Sequence, residues 1–567
     1  MSRSIIILLL VFSMTAYSQN RLDIIIDEIM PDPSPSVGLP NYEWIELKNL
    51  SNTPINLHNW RLGDGSGISG NFPAYTLPPD SFLIICSNTA LPAMSIFGPA
   101  LAIPGFPSLD NEGELIYLRA PDGRSIHAVE YASHWYHDDT KKEGGWSLEM
   151  IDTRLPCMGA ANWIAATNDH GGSPGKKNAG GLSLQDSKPP LLLRSYSIDS
   201  NTIVLAFDEP LDSSEAVTLP DFAIDGGIKF LHATCLPPLF TQIALKTNQA
   251  LAPDFIYTVS VTHVKDCNNN TSVVQTTRTG IPLNPEPGDW IINEILFNPR
   301  PNGYDFVECY NHSNKILDAS KLAIASRSGS GNISMMKPLS AKPIYIFPGD
   351  HIVITENADI LRLNYLVSNP GSVLELPSLP GFPDDTGCVV LLNFQGVVTD
   401  ELHYSERWHF SLITDREGIS LERIDPSGIS QNAKNWHSAA STAGFATPTI
   451  RNSQFRQPDN SAMTFTLAPK VFSPDNDGRD DIVLFHYELD VPGFVANCRI
   501  FDGAGRQVKY LVRNAVLGRK GYWTWDGLDD LGAKLPVGIY VVVTEIFNLQ
   551  ARRQHFKNCL VLARPLR

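Results

Sequence analysis

Apolar and polar residues alternate along most of this chain in short runs, which is the period-2 pattern of half-buried β-strands. The segments Tyr42–Lys48 and Asp305–Tyr310 show this alternation clearly. Shorter runs rich in β-branched residues, such as Phe82–Cys86 and His351–Ile354, follow turn residues and predict strands that are more deeply buried. We find no convincing long helix, so the pattern predicts an all-β protein.

One stretch of this pattern occurs twice. The segment Ile25–Ile29 is echoed by Ile291–Ile295, and further matches follow in the same order along both copies. They are Trp44–Asn49 with Phe306–Asn311, Gly123 with Gly396, Tyr131 and Trp135 with Tyr404 and Trp408, Trp146–Glu149 with Ile419–Glu422, Asn162–Trp163 with Asn435–Trp436, and Ser173, Pro174 and Asn178 with Thr447, Pro448 and Asn452. These ordered anchors predict a duplicated module. We name the copies repeat 1 (residues 20–180) and repeat 2 (residues 288–455).

Length, composition and charge narrow the class of protein. A chain of 567 residues is expected to form several cores, roughly three to five. Its 43% hydrophobic and 18% charged residues are typical of a folded protein, and 41 glycines and 42 prolines spread along the chain suit many strands joined by turns. A net charge of −16 argues against a nucleic-acid partner, which needs clustered basic residues.

The N-terminus has the pattern of a secretory signal peptide. Arg3 precedes the apolar stretch Ile5–Phe12, and small residues favour cleavage after Ser18, which would leave Gln19 first. No later apolar run is long enough for a transmembrane helix. We therefore expect residues 1–18 to be removed and the mature protein to be secreted or held at the cell surface.

Eight cysteines in an exported chain suggest disulfides. They fall two to a module, as Cys86 with Cys157, Cys235 with Cys267, Cys309 with Cys388, and Cys498 with Cys559. Four local bridges are one interpretation. Because the cysteines do not occupy matching positions in the two repeats, buried free thiols are the alternative.

The anchors of both repeats resemble the lamin-tail domain, an immunoglobulin-like (Ig-like) β-sandwich. The resemblance runs from Ile25–Ile29 through Trp44–Asn49 and Trp60 to Ser173-Pro174, and again through repeat 2, where Leu322 replaces the tryptophan. In bacteria this family implies exported or surface proteins, and it names no ligand.

Two further segments carry resemblances of their own. Residues 186–280, with Phe207–Asp212 and Lys265–Asn269, resemble the Ig-like domain of bacterial surface-layer proteins. Residues 464–567, with Val471–Asp481 and Trp525–Gly527, resemble the C-terminal Ig-like domain of flagellar-hook-capping and gliding-motility proteins. That resemblance implies a role in type IX secretion for some members. We name these segments the middle module and the C-terminal module; the whole prediction is four Ig-like sandwiches in series after a signal peptide.

Three sets of side chains are candidates for sites. Carboxylates that alternate around Gly478 suit Ca²⁺, although turn capping explains them too; they are Asp475, Asp477, Asp480 and Asp481. Trp135 and Trp408, each next to polar loop residues, are the best exposed candidates for stacking on a ligand. Glutamates recur at matching positions of the repeats, either as paired acids for glycoside hydrolysis or as a shared structural hydrogen bond; they are Glu28, Glu46, Glu294 and Glu308.

The sequence contains no recognised catalytic motif, so we expect no catalytic residues and no cofactor other than calcium. The predicted function is an exported, non-catalytic protein of the bacterial cell envelope or surface, with an envelope polysaccharide or a surface protein as partner. The alternative is a targeting or accessory subunit for an extracellular hydrolase or nuclease. Ligand identity and oligomeric state do not follow from the sequence.

Overall fold

The structure, a computed structural model, describes residues 20–213, 218–456 and 463–564. The predicted signal peptide, residues 1–18, lies outside the described residues. Regular structure in the described ranges is almost all β, which confirms the predicted fold class. No helix in these ranges is long and apolar enough to cross a membrane.

Repeat 1 is a sandwich whose core is shared by a six-stranded and a three-stranded sheet. Its strands are β1 Ile24–Met30, β2 Trp44–Asn49, β3 Ile55–Asn56, β4 Arg61–Gly63, β5 Thr76–Leu77, β6 Phe82–Cys86, β7 Ala100–Ala102, β8 Leu115–Arg119, β9 Ser125–Glu130, β10 Leu148–Met150 and β11 Trp163–Ala165. Its helices are α1 Leu91–Met94 and 3-10 turns at Ser133–Tyr136, Lys141–Glu143 and Gly159–Asn162. Ile45 and Leu47 enter the main core, whereas Trp44 packs in a second apolar cluster on the other face of β2. The strand is therefore buried on both faces, and the half-buried strand predicted for Tyr42–Lys48 is wrong, because this second cluster covers the face that was expected to meet solvent.

The middle module pairs a four-stranded sheet with a three-stranded sheet. Its strands are β12 Leu192–Asp199, β13 Thr202–Phe207, β14 Phe222–Ile224, β15 Phe230–Cys235, β16 Gln242–Thr247, β17 Tyr257–Val261 and β18 Gln275–Thr279, with a 3-10 turn at Leu219–Asp221. The sheet orders are β12-β13-β16-β15 and β14-β17-β18. Alternate residues of β16 and β17, such as Ile243 and Val259, are fully buried, as expected for strands with one face in a core.

Repeat 2 again combines a six-stranded sheet with a smaller one. Its strands are β19 Trp290–Leu296, β20 Phe306–Asn311, β21 Leu317–Asp318, β22 Leu322–Arg327, β23 Ile333–Pro338, β24 Tyr345–Ile346, β25 His351–Thr355, β26 Val373–Glu375, β27 Thr386–Asn393, β28 Val398–Ser405, β29 Leu421–Arg423 and β30 Trp436–Ser438. Its helices are α2 Ala358–Asn364 and 3-10 turns at Ala319–Lys321, Pro370–Ser372, Glu406–Trp408, Ala433–Asn435 and Ser441–Ala443.

The two repeats have the same topology in the large sheet. The order β11-β10-β1-β2-β6-β7 of repeat 1 corresponds strand by strand to β30-β29-β19-β20-β25-β26 of repeat 2. In both sheets only the pair of strands at one end, β6–β7 or β25–β26, is parallel among the described pairings. A register shift between Ile26 and Glu28 recurs between Ile292 and Glu294. The predicted duplication therefore extends to the position of a β-bulge.

The C-terminal module joins a three-stranded sheet, β31-β33-β36, to a five-stranded sheet, β32-β38-β37-β34-β35. Its strands are β31 Thr464–Ala468, β32 Val471–Phe472, β33 Val483–Glu488, β34 Phe494–Asp502, β35 Gln507–Val516, β36 Lys520–Trp525, β37 Gly538–Asn548 and β38 Arg553–Leu562. Aromatic side chains from both sheets, including Phe485, Trp525 and Tyr540, share one core.

The chain divides into two compact units. The described residues up to Leu251, together with Ile256–Thr279, form one unit, and Ala252–Phe255 with the described residues from Gly280 onward form the other. Each unit therefore contains one repeat and most or all of one further module. The module boundaries given above remain predictions from the sequence.

Within the first unit, a disulfide joins Cys157 of repeat 1 to Cys267 of the middle module. Both predicted pairings that involve these residues, Cys86 with Cys157 and Cys235 with Cys267, are therefore wrong. The prediction assumed that each bridge lies inside one module, whereas this one links two. The other cysteines are free thiols, most of them buried; they are Cys86, Cys235, Cys309, Cys388, Cys498 and Cys559.

Within the second unit, the end of repeat 2 is bonded to the C-terminal module. The side-chain amide of Gln454 donates to the carbonyl oxygen of Leu517 at 3.1 Å, and the backbone N–H of Arg519 donates to the carbonyl oxygen of Ser453 at 2.8 Å. Gln454 is fully buried. The polypeptide that ends repeat 2 is thus part of the core between the two modules.

Candidate functional site

Three glutamates lie in register across three neighbouring strands of the large sheet in each repeat. In repeat 1, Glu149 of β10 is opposite Glu28 of β1, and Glu28 is opposite Glu46 of β2. The counterparts in repeat 2 are Glu422, Glu294 and Glu308. All of these side chains are 0% exposed. We call each set a glutamate row.

The glutamate row of repeat 1 holds the end of the repeat in place. The backbone N–H of Ser173 donates to Glu28 at 2.8 Å, that of Gly175 donates to Glu46, and that of Ala179 donates to Glu149 at 3.0 Å. We call residues 172–180 the closing segment of repeat 1. Buried acceptors of this kind need such donors, so the row and the closing segment depend on each other.

Repeat 2 has the equivalent arrangement, with residues 446–454 as its closing segment. The N–H of Thr447 donates to Glu294 at 2.9 Å, that of Thr449 to Glu308 at 2.6 Å, and that of Gln454 to Glu422 at 2.8 Å. The interpretation of the recurrent glutamates as a shared structural hydrogen bond is confirmed. Buried carboxylates already engaged by the chain are unsuited to the glycoside hydrolysis that was the alternative.

Burial favours the protonated form of several of these acids. It raises the pKa of Glu28 and of Glu294 well above the usual value, and the adjacent carboxylates Glu149 and Glu422 add to the effect. Burial also raises the pKa of Glu422 to about 7. Each row therefore contains a carboxyl whose protonated form is favoured at pH values where an exposed glutamate is ionised.

The two rows differ at one neighbouring position. In repeat 2 the amide of Asn293 donates to Glu308 at 2.8 Å and to the Asn452 side chain at 2.7 Å. Repeat 1 has Asp27 there, and neither carboxylate oxygen of Asp27, nor Oε1 of Glu46, has a hydrogen-bond partner among the described residues. Burial raises the pKa of Asp27 to about 7. Asp27 therefore offers at most one donor, and only when protonated, where its counterpart offers two.

The predicted calcium residues lie in an exposed turn of the C-terminal module. Asp475, Asp477 and Asp481 each place one carboxylate oxygen within 4.8 Å of the others, and Asp480 is not part of this group. Asp481 accepts the backbone N–H groups of Asp475 at 3.0 Å and Gly478 at 2.8 Å, which is the turn capping that the sequence also allowed. Calcium at this turn stays a prediction.

The expectation that Trp135 is exposed is wrong. Its side chain is 7% exposed and packs on Trp163 with 6.1 Å between ring centroids, because the 3-10 turn Ser133–Tyr136 folds it into the core of repeat 1. The side chain of Trp408 is less deeply buried than that of Trp135, and it packs against the core of repeat 2. Their matching positions reflect packing in both repeats.

The fold also assembles an acidic group in the middle module that we did not predict. Asp186, Glu209 and Asp266 place carboxylate oxygens within 4.8 Å of one another. Burial, and then Asp266, raise the pKa of Glu209 to about 8. Asp266 accepts the backbone N–H groups of Asn268 at 2.8 Å and Asn270 at 2.9 Å, so part of its role is to shape that turn. Glu209 and Asp266 lie in Phe207–Asp212 and Lys265–Asn269, the two segments that resemble bacterial surface-layer proteins. The sequence therefore contained both acids, and the fold brings their segments together.

A second unpredicted cluster lies in repeat 2, where Cys388, Glu401 and His403 meet. The thiol is unsuited to attack as a nucleophile, because burial raises the pKa of Cys388 to about 11 and the thiol stays protonated near neutral pH. The imidazole Nε2 contacts both the sulfur and the Glu401 carboxylate, whereas a catalytic triad uses the two ring nitrogens separately.

Comparison with solved structures gives similarities at low identity. The N-terminal part of the bacterial S-layer protein SbsC is 13% identical over 38% of this chain, with a TM-score of 0.16. A DUF4876 family protein from Bacteroides thetaiotaomicron is 14% identical over 37% of this chain and 84% of its own, with a TM-score of 0.19. A tetra-tandem repeat from the extending region of a large adhesion protein is 11% identical over 95% of this chain and 98% of its own, with a TM-score of 0.12. The chain spans 44% of the SbsC fragment, and scores this low establish no common arrangement of the whole chain.

Among curated proteins no match was found. A family model does match one part of the chain. The matched part is residues 18–133, which includes β1 to β9 of repeat 1. The N-terminal region of this protein is therefore similar to the lamin tail domain.

Proposed function

We propose that this protein is an exported, non-catalytic component of a bacterial cell envelope or cell surface, whose β-sandwich modules present loops and sheet edges for binding. The observation that carries the proposal is the disulfide between Cys157 and Cys267. Disulfides persist in oxidising compartments outside the cytosol. This one joins two modules, so it serves as a structural cross-link of the first unit.

Two further observations support a structural role. The similarity of residues 18–133 to the lamin tail domain suits a binding scaffold. The recurrent glutamates, which are the strongest candidates for acid–base chemistry, are buried and bonded to the closing segments. A site for turnover needs acids that a substrate reaches.

The proposed partner is an envelope polysaccharide or another surface protein. A net charge of −16 suits neither a nucleic acid nor an anionic membrane surface. We propose further that the C-terminal module acts as a sorting or anchoring signal of the type IX class, and that residues 1–18 direct export.

Cell fractionation of the full chain and of a chain that ends before residue 464 tests this proposal. We expect the full chain at the surface of intact cells, accessible to added protease, and the truncated chain inside the cell or released. The variant Trp525→Ala keeps the full length of the chain but disturbs the core of the C-terminal module. It therefore separates loss of the folded module from loss of chain length. Cytoplasmic accumulation of the full chain would contradict the proposal. Turnover of a phosphodiester, peptide or glycan substrate by the purified chain would show it to be an enzyme instead.

A further inference from the structure

A thiol, a carboxylate and an imidazole meet on one face of the small sheet in repeat 2. Cys388 lies on β27 directly opposite His403 on β28, and Glu401 is two residues before His403 on the same strand. Residues two apart on a strand project from the same face. The intervening residues, such as Leu402, enter the main core, so the three ligand atoms lie on the face turned away from that core.

The spacing of these atoms is close to that of a metal site. Sγ of Cys388 is 3.8 Å from Oε1 of Glu401 and 3.7 Å from Nε2 of His403, and Nε2 is 2.7 Å from Oε1. Tetrahedral zinc with bonds of about 2.0 Å to nitrogen and oxygen and about 2.3 Å to sulfur separates its ligand atoms by roughly 3.3–3.5 Å. Placing an ion between the three atoms requires the His403 imidazole to give up its 2.7 Å contact with Glu401 and move away from the carboxylate.

Neighbouring groups hold the cluster in position. Arg327 donates to both oxygens of Glu401, from Nε at 2.7 Å and from Nη2 at 2.6 Å, which fixes the plane of the carboxylate. Gln431 bonds the free edge of β28, donating to the carbonyl oxygen of Glu401 at 2.8 Å and accepting the N–H of His403 at 3.2 Å. Partners behind the ligands are typical of metal sites because they orient the ligand atoms.

The site is open to solvent on one side. His403 is 55% exposed, and Cys388 and His403 line a cleft of about 430 Å³ together with Ser326. An ion can enter through this cleft. Three protein ligands would leave its fourth position to water or to a group of a bound partner.

Repeat 1 shows that the fold does not require these residues. Gly123 and Tyr131 match Gly396 and Tyr404 without a gap, so Cys388 and His403 correspond to Leu115 and Glu130, which are opposite each other in the same register. Glu401 corresponds to Ala128. The strand pair forms equally with a leucine, an alanine and a glutamate. Packing of the hairpin therefore does not explain why a thiol, a carboxylate and an imidazole converge in repeat 2.

We propose that Cys388, Glu401 and His403 form a binding site for a divalent transition-metal ion, and specifically for Zn²⁺. Thiolate and imidazole are ligands that zinc prefers and that calcium and magnesium do not. On binding, the Cys388 thiol passes its proton to solvent and its sulfur bonds the ion. This proposal does not depend on the proposed function of the modules. A bound ion at this site can either contact a partner or stabilise repeat 2.

Titration of the full-length protein with Co²⁺, the spectroscopic substitute for zinc, tests the proposal. We expect one equivalent to bind with a thiolate-to-cobalt charge-transfer absorption, which Zn²⁺ abolishes by displacement and excess Ca²⁺ does not. Cys388→Leu, which places the residue of repeat 1 at this position, should remove the absorption. Cys559→Ser is the matched control, because Cys559 is an exposed free thiol in another module and its loss should leave the absorption unchanged.

Two ligand variants complete the test. His403→Ala and Glu401→Ala should each weaken cobalt binding by at least about 10-fold, given the 10- to 100-fold losses seen even when groups behind the ligands are removed. Hydrogen exchange of β27 and β28 shows whether each variant keeps the strand pair folded. Absence of the charge-transfer absorption, or its survival in Cys388→Leu, would overturn the proposal; an absorption lost in Cys559→Ser alone would place the ion elsewhere.

Discussion

Replacing Asp27 by asparagine should stabilise repeat 1 above neutral pH. Burial raises the pKa of Asp27 from 3.8 to about 7, so between these pH values the folded state binds a proton that the unfolded state lacks. Stability then falls as pH rises through this window, by about 1.4 kcal/mol for each pH unit. Summed over the window, ionisation of Asp27 costs about 4 kcal/mol above pH 7.

The Asp27→Asn side chain has no charge to bury and supplies two donors, whereas the native carboxyl supplies one when protonated and none when ionised. In repeat 2, Asn293 uses such donors toward Glu308 and Asn452. We expect the variant amide to donate likewise to Glu46 and Asn178, worth about 1 kcal/mol for each bond. Hydrogen-exchange mass spectrometry of peptides from β1, corrected for intrinsic exchange and recorded from pH 5 to pH 8, measures the free energy of opening. The gain should be larger at pH 8 than at pH 5 by about 3 kcal/mol, since only the folded state holds the Asp27 proton over the two pH units between pH 5 and its pKa of about 7.

The reciprocal variant Asn293→Asp is the matched control in repeat 2. It removes the donors to Glu308 and buries an added acid, so β19 should lose protection, most strongly at pH 8. Equal stability of wild type and Asp27→Asn at pH 8, or a gain that does not change with pH, would show that burial of Asp27 does not destabilise its ionised form. Such a result would mean that Asp27 is ionised and compensated in the folded state.

The disulfide, the buried Trp135 and the acidic turn can each be tested by one substitution. Cys157→Ser should destabilise the first unit by about 4 kcal/mol, because the bridge closes a separation of 110 residues, and denaturant titration of the purified protein with and without a reductant measures this loss. Trp135→Ala should lower the free energy of unfolding of repeat 1 by about 3 kcal/mol through loss of core packing, seen as faster hydrogen exchange in β11; unchanged exchange would mean that Trp135 is not part of the core. Calcium should raise the melting temperature of the C-terminal module, and Asp477→Ala should abolish the rise; an unchanged melting temperature on adding a chelator would exclude calcium.

The repeated topology was predictable because it depends on local pattern. Alternation and β-branched runs give the strands, and the recurrence of Glu28 at Glu294 gives the duplication and its shared hydrogen bonds. The burial of the glutamate rows was not predictable from alternation. Acidic residues within a strand usually mark its solvent face, and here a distant closing segment covers them.

What the sequence did not reveal depends on contacts between distant segments. Cys157 and Cys267 belong to different modules, and no spacing rule links residues that only the packing of two modules brings together. Trp135 lies beside polar residues in sequence, yet a 3-10 turn directs it inward. Cys388 and His403 meet only because β27 and β28 pair in one particular register. A shift of that register by one residue would move the side chains of one strand to the opposite face of the sheet.

Export of a cross-linked scaffold can be tested by peptide mapping under non-reducing conditions, on protein released by protease from intact producing cells. We expect fragments in which Cys157 is linked to Cys267, together with a mature N-terminus at Gln19. Recovery of the protein only from the cytoplasm, with residues 1–18 intact and both thiols reduced, would contradict export of such a scaffold.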